Sequence, residues 1–169
     1  PDSVTIYQME VPFNTGIYQQ MKAGGKLIAP VADWETKRAW VDYAFDELIS
    51  AGYHISSAYT LVKDPAQVNF SYRDNLWQGS DLLATGVASF GHVSGVHYQN
   101  KTEWGDYLSD LLDHGRLPLH RAMRPTPHQL LIREMILQLK KGWLDAAYFR
   151  KKFGVEILDE WRDEWRAHQ

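Results

Sequence analysis

The stretch from Leu82 to Asn100, LLATGVASFGHVSGVHYQN, constrains this chain more than any other. A β-forming apolar run is punctuated there by Gly86, Gly91 and Gly95, carries His92 and His97, and ends on Tyr98-Gln99-Asn100. Glycine inside a strand pattern marks a bulge, a turn or close approach by another backbone or a ligand. The pattern predicts one strand through Phe90, a turn around Val93 to Gly95 and a second strand through Gln99. The two histidines flank that turn, so a binding surface is expected here first.

With 169 residues and 44% apolar composition, the chain can bury one core, or one core and a smaller appended unit. The net charge is −3 and no long cationic run occurs, which argues against a nucleic-acid partner. The absence of cysteine excludes disulfides, thiolate zinc sites, iron–sulfur ligation and a cysteine nucleophile within these residues. No apolar run approaches the roughly 18 residues that span a bilayer. The sequence starts at Pro1 in the lead-in to a strand, and we read it as part of a longer protein.

Val4–Glu10 is rich in β-formers and predicts a strand stopped by Pro12. Asn14 and Thr15 are capping residues for a short helix from Gly16 to Met21, ended by Gly24-Gly25. Asp33 caps a long helix from Trp34 to Ala51, with Trp40, Tyr43, Ala44 and Leu48 at helical spacing and Gly52 as terminator. Tyr53–Val62 reads as a second strand. Strand, helix, strand predicts a parallel pair with a right-handed crossover. Lys63-Asp64-Pro65 is a turn and the candidate boundary, dividing the chain into 1–66 and 67–169.

Beyond it, Val68–Tyr72 predicts a short strand, and the glycine-punctuated stretch follows. Asn100 and Glu103 have capping-box spacing ahead of a helix from Trp104 to Leu112. Arg116–Met123 reads as a connection. Thr126-Pro127 with Gln129 is a strong helix start, running to Lys141 and Gly142. A helix over Asp145–Phe153 ends at Gly154, and Ile157, Trp161 and Trp165 recur every fourth residue on a last helix. The fold class is therefore α/β (α+β).

His92 and His97 can line a pocket or bind a metal or haem iron, but no third ligand is near them in sequence, and we assign no metal site. Arg73 can clamp a carboxylate or stand as a solvated loop charge. The glycines form neither a dinucleotide-binding nor a P-loop pattern. The acidic residues Glu156, Asp159, Glu160, Asp163 and Glu164 on the last helix would repel phosphate, against a helix-turn-helix reading. No catalytic residue is identified from spacing.

Over Tyr72–Asn100 the sequence resembles the oxygen-independent coproporphyrinogen III oxidases and their radical SAM relatives. Trp77, Gly79, Asp81, Leu82 and Leu83 (W-x-G-x-D-L-L), then Gly86-Val87, then Tyr98-x-Asn100 carry the resemblance. It extends upstream through YQMEVPFNTGIYQQM to Tyr53, and downstream through RAMRPTPHQLLIREMILQL and FRKKFGVEI.

The resemblance implies that residues 1–66 are the end of a partial (β/α) barrel. Residues 67–169 would be the accessory region, a small sheet or hairpin followed by helices. It implies a cytoplasmic enzyme that uses S-adenosyl-L-methionine (SAM) and a [4Fe–4S] cluster held by cysteines in an N-terminal barrel portion outside this chain. The substrate would be a tetrapyrrole, and the segment would close the active site and help hold substrate and a second SAM. Phe90 falls at one second-SAM contact, and Ser71, on the preceding strand, at another if one gap is allowed. Arg73, His92, His97, Tyr98 and Asn100 are the candidate substrate-binding residues. Gly91-His92 and Gly95-Val96-His97 depart from the oxidase pattern towards relatives that act on haem. Methyl transfer in anaerobic haem degradation and haem carriage without turnover therefore stand as alternatives, alongside an interaction module built on the C-terminal helices.

Overall fold

A computed structural model of the chain describes residues 1–11, 15–24 and 32–167. Pro12, Asn14 and Gly25, to which the sequence assigns stop and capping roles, lie outside them. The chain divides into two compact units, Pro1–Asn69 and Phe70–Gln169. No described helix is long and apolar enough to cross a membrane.

The first unit contains β1 (Ser3–Thr5), α1 (Gly16–Gly24), α2 (Trp34–Ser50), β2 (His54–Ser57) and β3 (Thr60–Val62). Thr15 opens α1, its hydroxyl accepting from the Tyr18 N–H at 3.3 Å. Asp33 caps α2 through the Thr36 N–H at 2.8 Å, and Gly52 ends it with φ +86°. The expected apolar face of α2 stays largely open: Trp40 and Tyr43 are exposed, and Lys37 is the buried residue. The three short strands offer little surface for so wide a stripe.

The parallel pair does not form. Tyr53–Val62 is not one strand but a hairpin, reversed at Ala58-Tyr59, with the Ser57 hydroxyl accepting from the Tyr59 N–H at 3.4 Å. Strand order is β1-β3-β2, with both neighbours antiparallel to β3. β1 and β2 do run in the same direction, as a crossover through α2 requires. The reversed β3 sits between them and takes the hydrogen bonds of both. Its residues Leu61 and Val62 are at the centre of this unit's core.

The second unit begins with α3 (Ser71–Trp77), where a strand over Val68–Tyr72 was expected. In this helix Arg73 lies between two rings, 4.4 Å from the Phe70 centroid and 5.1 Å from that of Trp77. The glycine-punctuated stretch gives β4 (Phe90–Val93) and β5 (Val96–Asn100), not a strand running from Leu82. Gly86 and Ala88 take positive φ and break the ladder, leaving Leu82 joined to His92 by a single bridge.

α4 (Trp104–Leu108) passes into a π-helical turn, Ser109–Asp113. Glu103, not Asn100, is its N-cap, and Asn100 belongs to β5, so the predicted capping box is absent. The expected connection Arg116–Met123 contains β6 (Leu119–Met123), an edge strand antiparallel to β5.

α5 (Pro127–Leu139) starts with the predicted capping box: the Thr126 hydroxyl accepts from Gln129 N–H at 3.2 Å, and the Gln129 side chain accepts from Thr126 N–H at 2.9 Å. α6 (Ala146–Phe153) ends on Gly154 with φ +70°. The last predicted helix breaks at Trp161 into α7 (Ile157–Glu160) and α8 (Arg162–Ala167). Leu131, Phe149 and Ile157 form the buried cluster, with Met135, Phe153 and Trp161 packed around it. Each of the three stabilises the fold by about 1.5–3 kcal/mol relative to exposure.

Candidate functional site

The hairpin of β4 and β5 turns on Ser94-Gly95, with φ +51° and +73°. Positive φ at both central residues matches the right-handed twist of the strands they join. This turn sets His92 directly opposite His97, ring centroids 4.3 Å apart and tilted by 50°. Asp81 accepts the Ser94 N–H at 3.0 Å and so ties the tip to the W-x-G-x-D segment. Gly91 lies under the ring of its cross-strand partner Tyr98, where a Cβ would overlap the ring.

The rest of that segment anchors α3 to α5 and α6. The Gln78 carbonyl accepts from Lys152 Nζ at 2.7 Å and from the Tyr148 hydroxyl at 3.0 Å. The buried Glu134 carboxylate accepts from the same two groups, at 2.7 and 3.0 Å from Lys152 and 2.5 Å from Tyr148. Burial, then the Glu134 carboxylate, hold the Tyr148 phenol well above its ordinary range. Gly79 has φ +86°, and a Cβ there would collide with Glu134. The motif is therefore a staple that fixes one helical wall.

Between that wall and the hairpin lies a cavity of about 370 Å³. Leu76, Leu82, Phe90, Ile136 and Leu137 give it apolar walls. His92, His97 and Arg133 supply its polar groups. His92 is 5% exposed and its Nδ1 has no hydrogen-bond partner; Nη1 of Arg133 is likewise buried and unpartnered. Burial, then the neighbouring His97 and Arg133, hold His92 below the usual imidazole range, and burial followed by Arg133 does the same to His97. Both rings are neutral at pH 7 and each offers one donor and one acceptor nitrogen. No carboxylate, hydroxyl or thiol is among the described residues that line the cavity.

A second cavity of about 280 Å³ lies along the sheet, bordered by Phe90, His97, Tyr98, Gln99, Arg121 and Met123. Phe90, exposed on β4, and His97 border both spaces. The Tyr98 hydroxyl also accepts from Ala84 N–H at 2.7 Å, and Asn100 Nδ2 donates to the Gly86 carbonyl at 3.0 Å. These two side chains hold the irregular Ala84–Gly86 loop. Ser71, exposed as the first residue of α3, lines neither cavity. Arg73 pairs with Asp74 at 3.0 Å and stacks between Phe70 and Trp77.

The structure thus gathers Phe90, His92 and His97 and leaves Ser71, Arg73 and Asn100 outside the first cavity's lining. Sequence reasoning missed Arg133. Its signal was a charge flanked by apolar residues in LLIREMIL, where a cation on a core-facing helix needs a reason. Among the described residues, no group of three or more His, Cys, Asp or Glu residues could hold a metal ion.

No family model matches the chain, and no curated protein matches it. Among solved structures, the chain is similar to coproporphyrinogen III oxidase (HemN) from Escherichia coli, a radical SAM enzyme, with a TM-score of 0.67 and 16% sequence identity. The likeness covers 98% of this chain and 40% of that one, so the chain spans less than half the length of its structural relative. At this identity the likeness establishes the fold alone.

Proposed function

We propose that this chain is the substrate-holding portion of a radical SAM enzyme acting on a tetrapyrrole, in the manner of coproporphyrinogen III oxidase. The observation that carries this reading is the shared fold over nearly the whole chain. The reaction proposed is oxidative decarboxylation of a propionate side chain to a vinyl group. Such chemistry removes one β-hydrogen atom, carbon dioxide and one electron: SAM, reductively cleaved at a [4Fe–4S] cluster, would take the hydrogen atom, and an external one-electron acceptor would take the electron. The residues present do not fit the cluster, because the chain has no cysteine, so its ligands lie elsewhere in a longer polypeptide.

In this reading the chain's own residues bind and exclude water. The cavity between the hairpin and α5 takes part of the substrate, with His92 and His97 as neutral hydrogen-bonding groups and Leu82, Ile136 and Leu137 against its apolar body. Phe90, with an exposed ring at the edge of both cavities, contacts a second SAM. Ser71 is the other second-SAM contact in this reading, and Tyr98 and Asn100 keep the Ala84–Gly86 loop in place.

A second reading, favoured by the paired neutral imidazoles, has the hairpin contacting haem, either for methyl transfer or for carriage without turnover. Anaerobic assay of the complete polypeptide, reconstituted with iron and sulfide, separates these. Formation of 5′-deoxyadenosine from SAM, stimulated several-fold by coproporphyrinogen III or by haem, is the expected result. Haem bound with no tetrapyrrole-stimulated SAM cleavage would overturn the enzyme reading in favour of carriage.

A further inference from the structure

Arg133 lines the cavity with no carboxylate partner, unlike several cations of the second unit. Lys152 is paired with Glu134, Arg116 with Asp110, Lys141 with Asp74, Arg150 with Glu156 and Arg162 with Asp159. No carboxylate lies within ion-pair distance of Arg133 among the described residues. Its Nη1 is closed off from water and makes no hydrogen bond. Arg133 as a whole is half-buried, and the cost of lost solvation falls on that one nitrogen.

The nearby carboxylates are committed. Glu134, the next residue on α5, is held by Lys152 and Tyr148. Asp81, beside the hairpin tip, accepts the Ser94 N–H. His92, which lines the same cavity, has its own buried and unpartnered Nδ1. Arg133 and His92 thus each carry one buried, unpartnered nitrogen, and both residues line one cavity with His97 and otherwise apolar walls. Buried polar groups are almost always paired, so such a coincidence points to a group that arrives with a ligand.

We propose that Arg133 is the carboxylate-binding residue of this cavity, with His92 donating a second hydrogen bond, so that the ligand is an apolar ring system carrying a carboxylate arm. A planar guanidinium matches both oxygens of a carboxylate, and the cavity's volume suits an apolar fragment of modest size beside it. The choice of a tetrapyrrole as the ring rests on the function proposed above; the carboxylate does not.

The test compares acid with ester. The chain is titrated with mesoporphyrin IX and its dimethyl ester, and with 1-pyrenebutyrate and its methyl ester, following tryptophan fluorescence. At least one acid should bind about tenfold or more tightly than its ester, as expected for a charge-assisted bidentate pair. Arg133→Met, which replaces a half-buried cation without a carboxylate partner by an apolar side chain of similar length, should fold and should abolish that preference. Arg133→Lys, which keeps the charge without the planar fork, should retain part of it, and His92→Asn should weaken both acids.

Equal affinity for acid and ester in the unmodified chain overturns the inference, as does a preference that survives Arg133→Met. Mesoporphyrin and its ester binding equally, with pyrenebutyrate showing no acid preference either, would remove Arg133's role and leave the tetrapyrrole reading standing. Acid-selective, Arg133-dependent binding of pyrenebutyrate with no binding of either porphyrin would do the reverse. Failure of all four probes to bind overturns both.

Discussion

At Gly79 the backbone approaches the Glu134 carboxylate so closely that only a hydrogen fits, and φ is +86°. Gly79→Ala therefore forces a side chain into a disfavoured backbone region and pushes Glu134 off Lys152. We expect a loss of about 1–3 kcal/mol, read from urea unfolding of the chain. The resemblance placed Gly79 in a motif, and the structure gives the motif its physical content. The histidine pair makes a second claim at this scale. Folding depresses the pKa of His92 and His97, with burial the leading cause for both, and Arg133 opposes their protonation while Asp81 and Glu134 favour it at His92. Between pH 7 and pH 5 the unfolded chain binds protons at these positions before the folded chain does. Stability therefore falls as the pH is lowered through about 6.5. A His92→Asn/His97→Asn variant should show a flatter dependence of its urea midpoint over that range, and an identical slope would count against the neutral pair. That Arg133 belongs with these rings was not legible, because it comes from a helix outside the motif and only packing joins them.

Among the elements, those whose signals are local were read correctly. The Thr126-Pro127-Gln129 start of α5, the Asp33 cap of α2 and the Gly154 stop of α6 each depend on a few adjacent residues. Thr126→Ala should cost about 1 kcal/mol in thermal or urea unfolding, since it removes one half of a reciprocal pair and frees the other. Elements decided by distant partners were misread. β6 carries Leu119-His-Arg-Ala-Met123, is exposed throughout and shows no alternation, because as an edge strand it has little to bury. The reversal at Ala58-Tyr59 contains neither glycine nor proline, so Tyr53–Val62 looks continuous. α3 follows a β-rich run, and its C-terminal end is held by distant side chains, Gln138 donating to the Trp77 carbonyl and Tyr148 and Lys152 to that of Gln78.

For the whole molecule, the sequence pattern indicated a mixed α and β chain with a hairpin and C-terminal helices, and the fold shared with HemN agrees. The direct parallel pairing in the first unit was the main error: β1 and β2 run the same way, but the hairpin hidden in Tyr53–Val62 places β3 between them. The site is assembled from two separately supported halves. One wall is fixed by the Gln78, Glu134, Tyr148 and Lys152 bonds, while the hairpin tip is held by Asp81 and the single Leu82–His92 bridge. Mutations can therefore accumulate at the tip without unseating the helices behind it. Because the cavity takes its lining from both halves, a new ligand preference would demand changes in the hairpin and in the helical wall together.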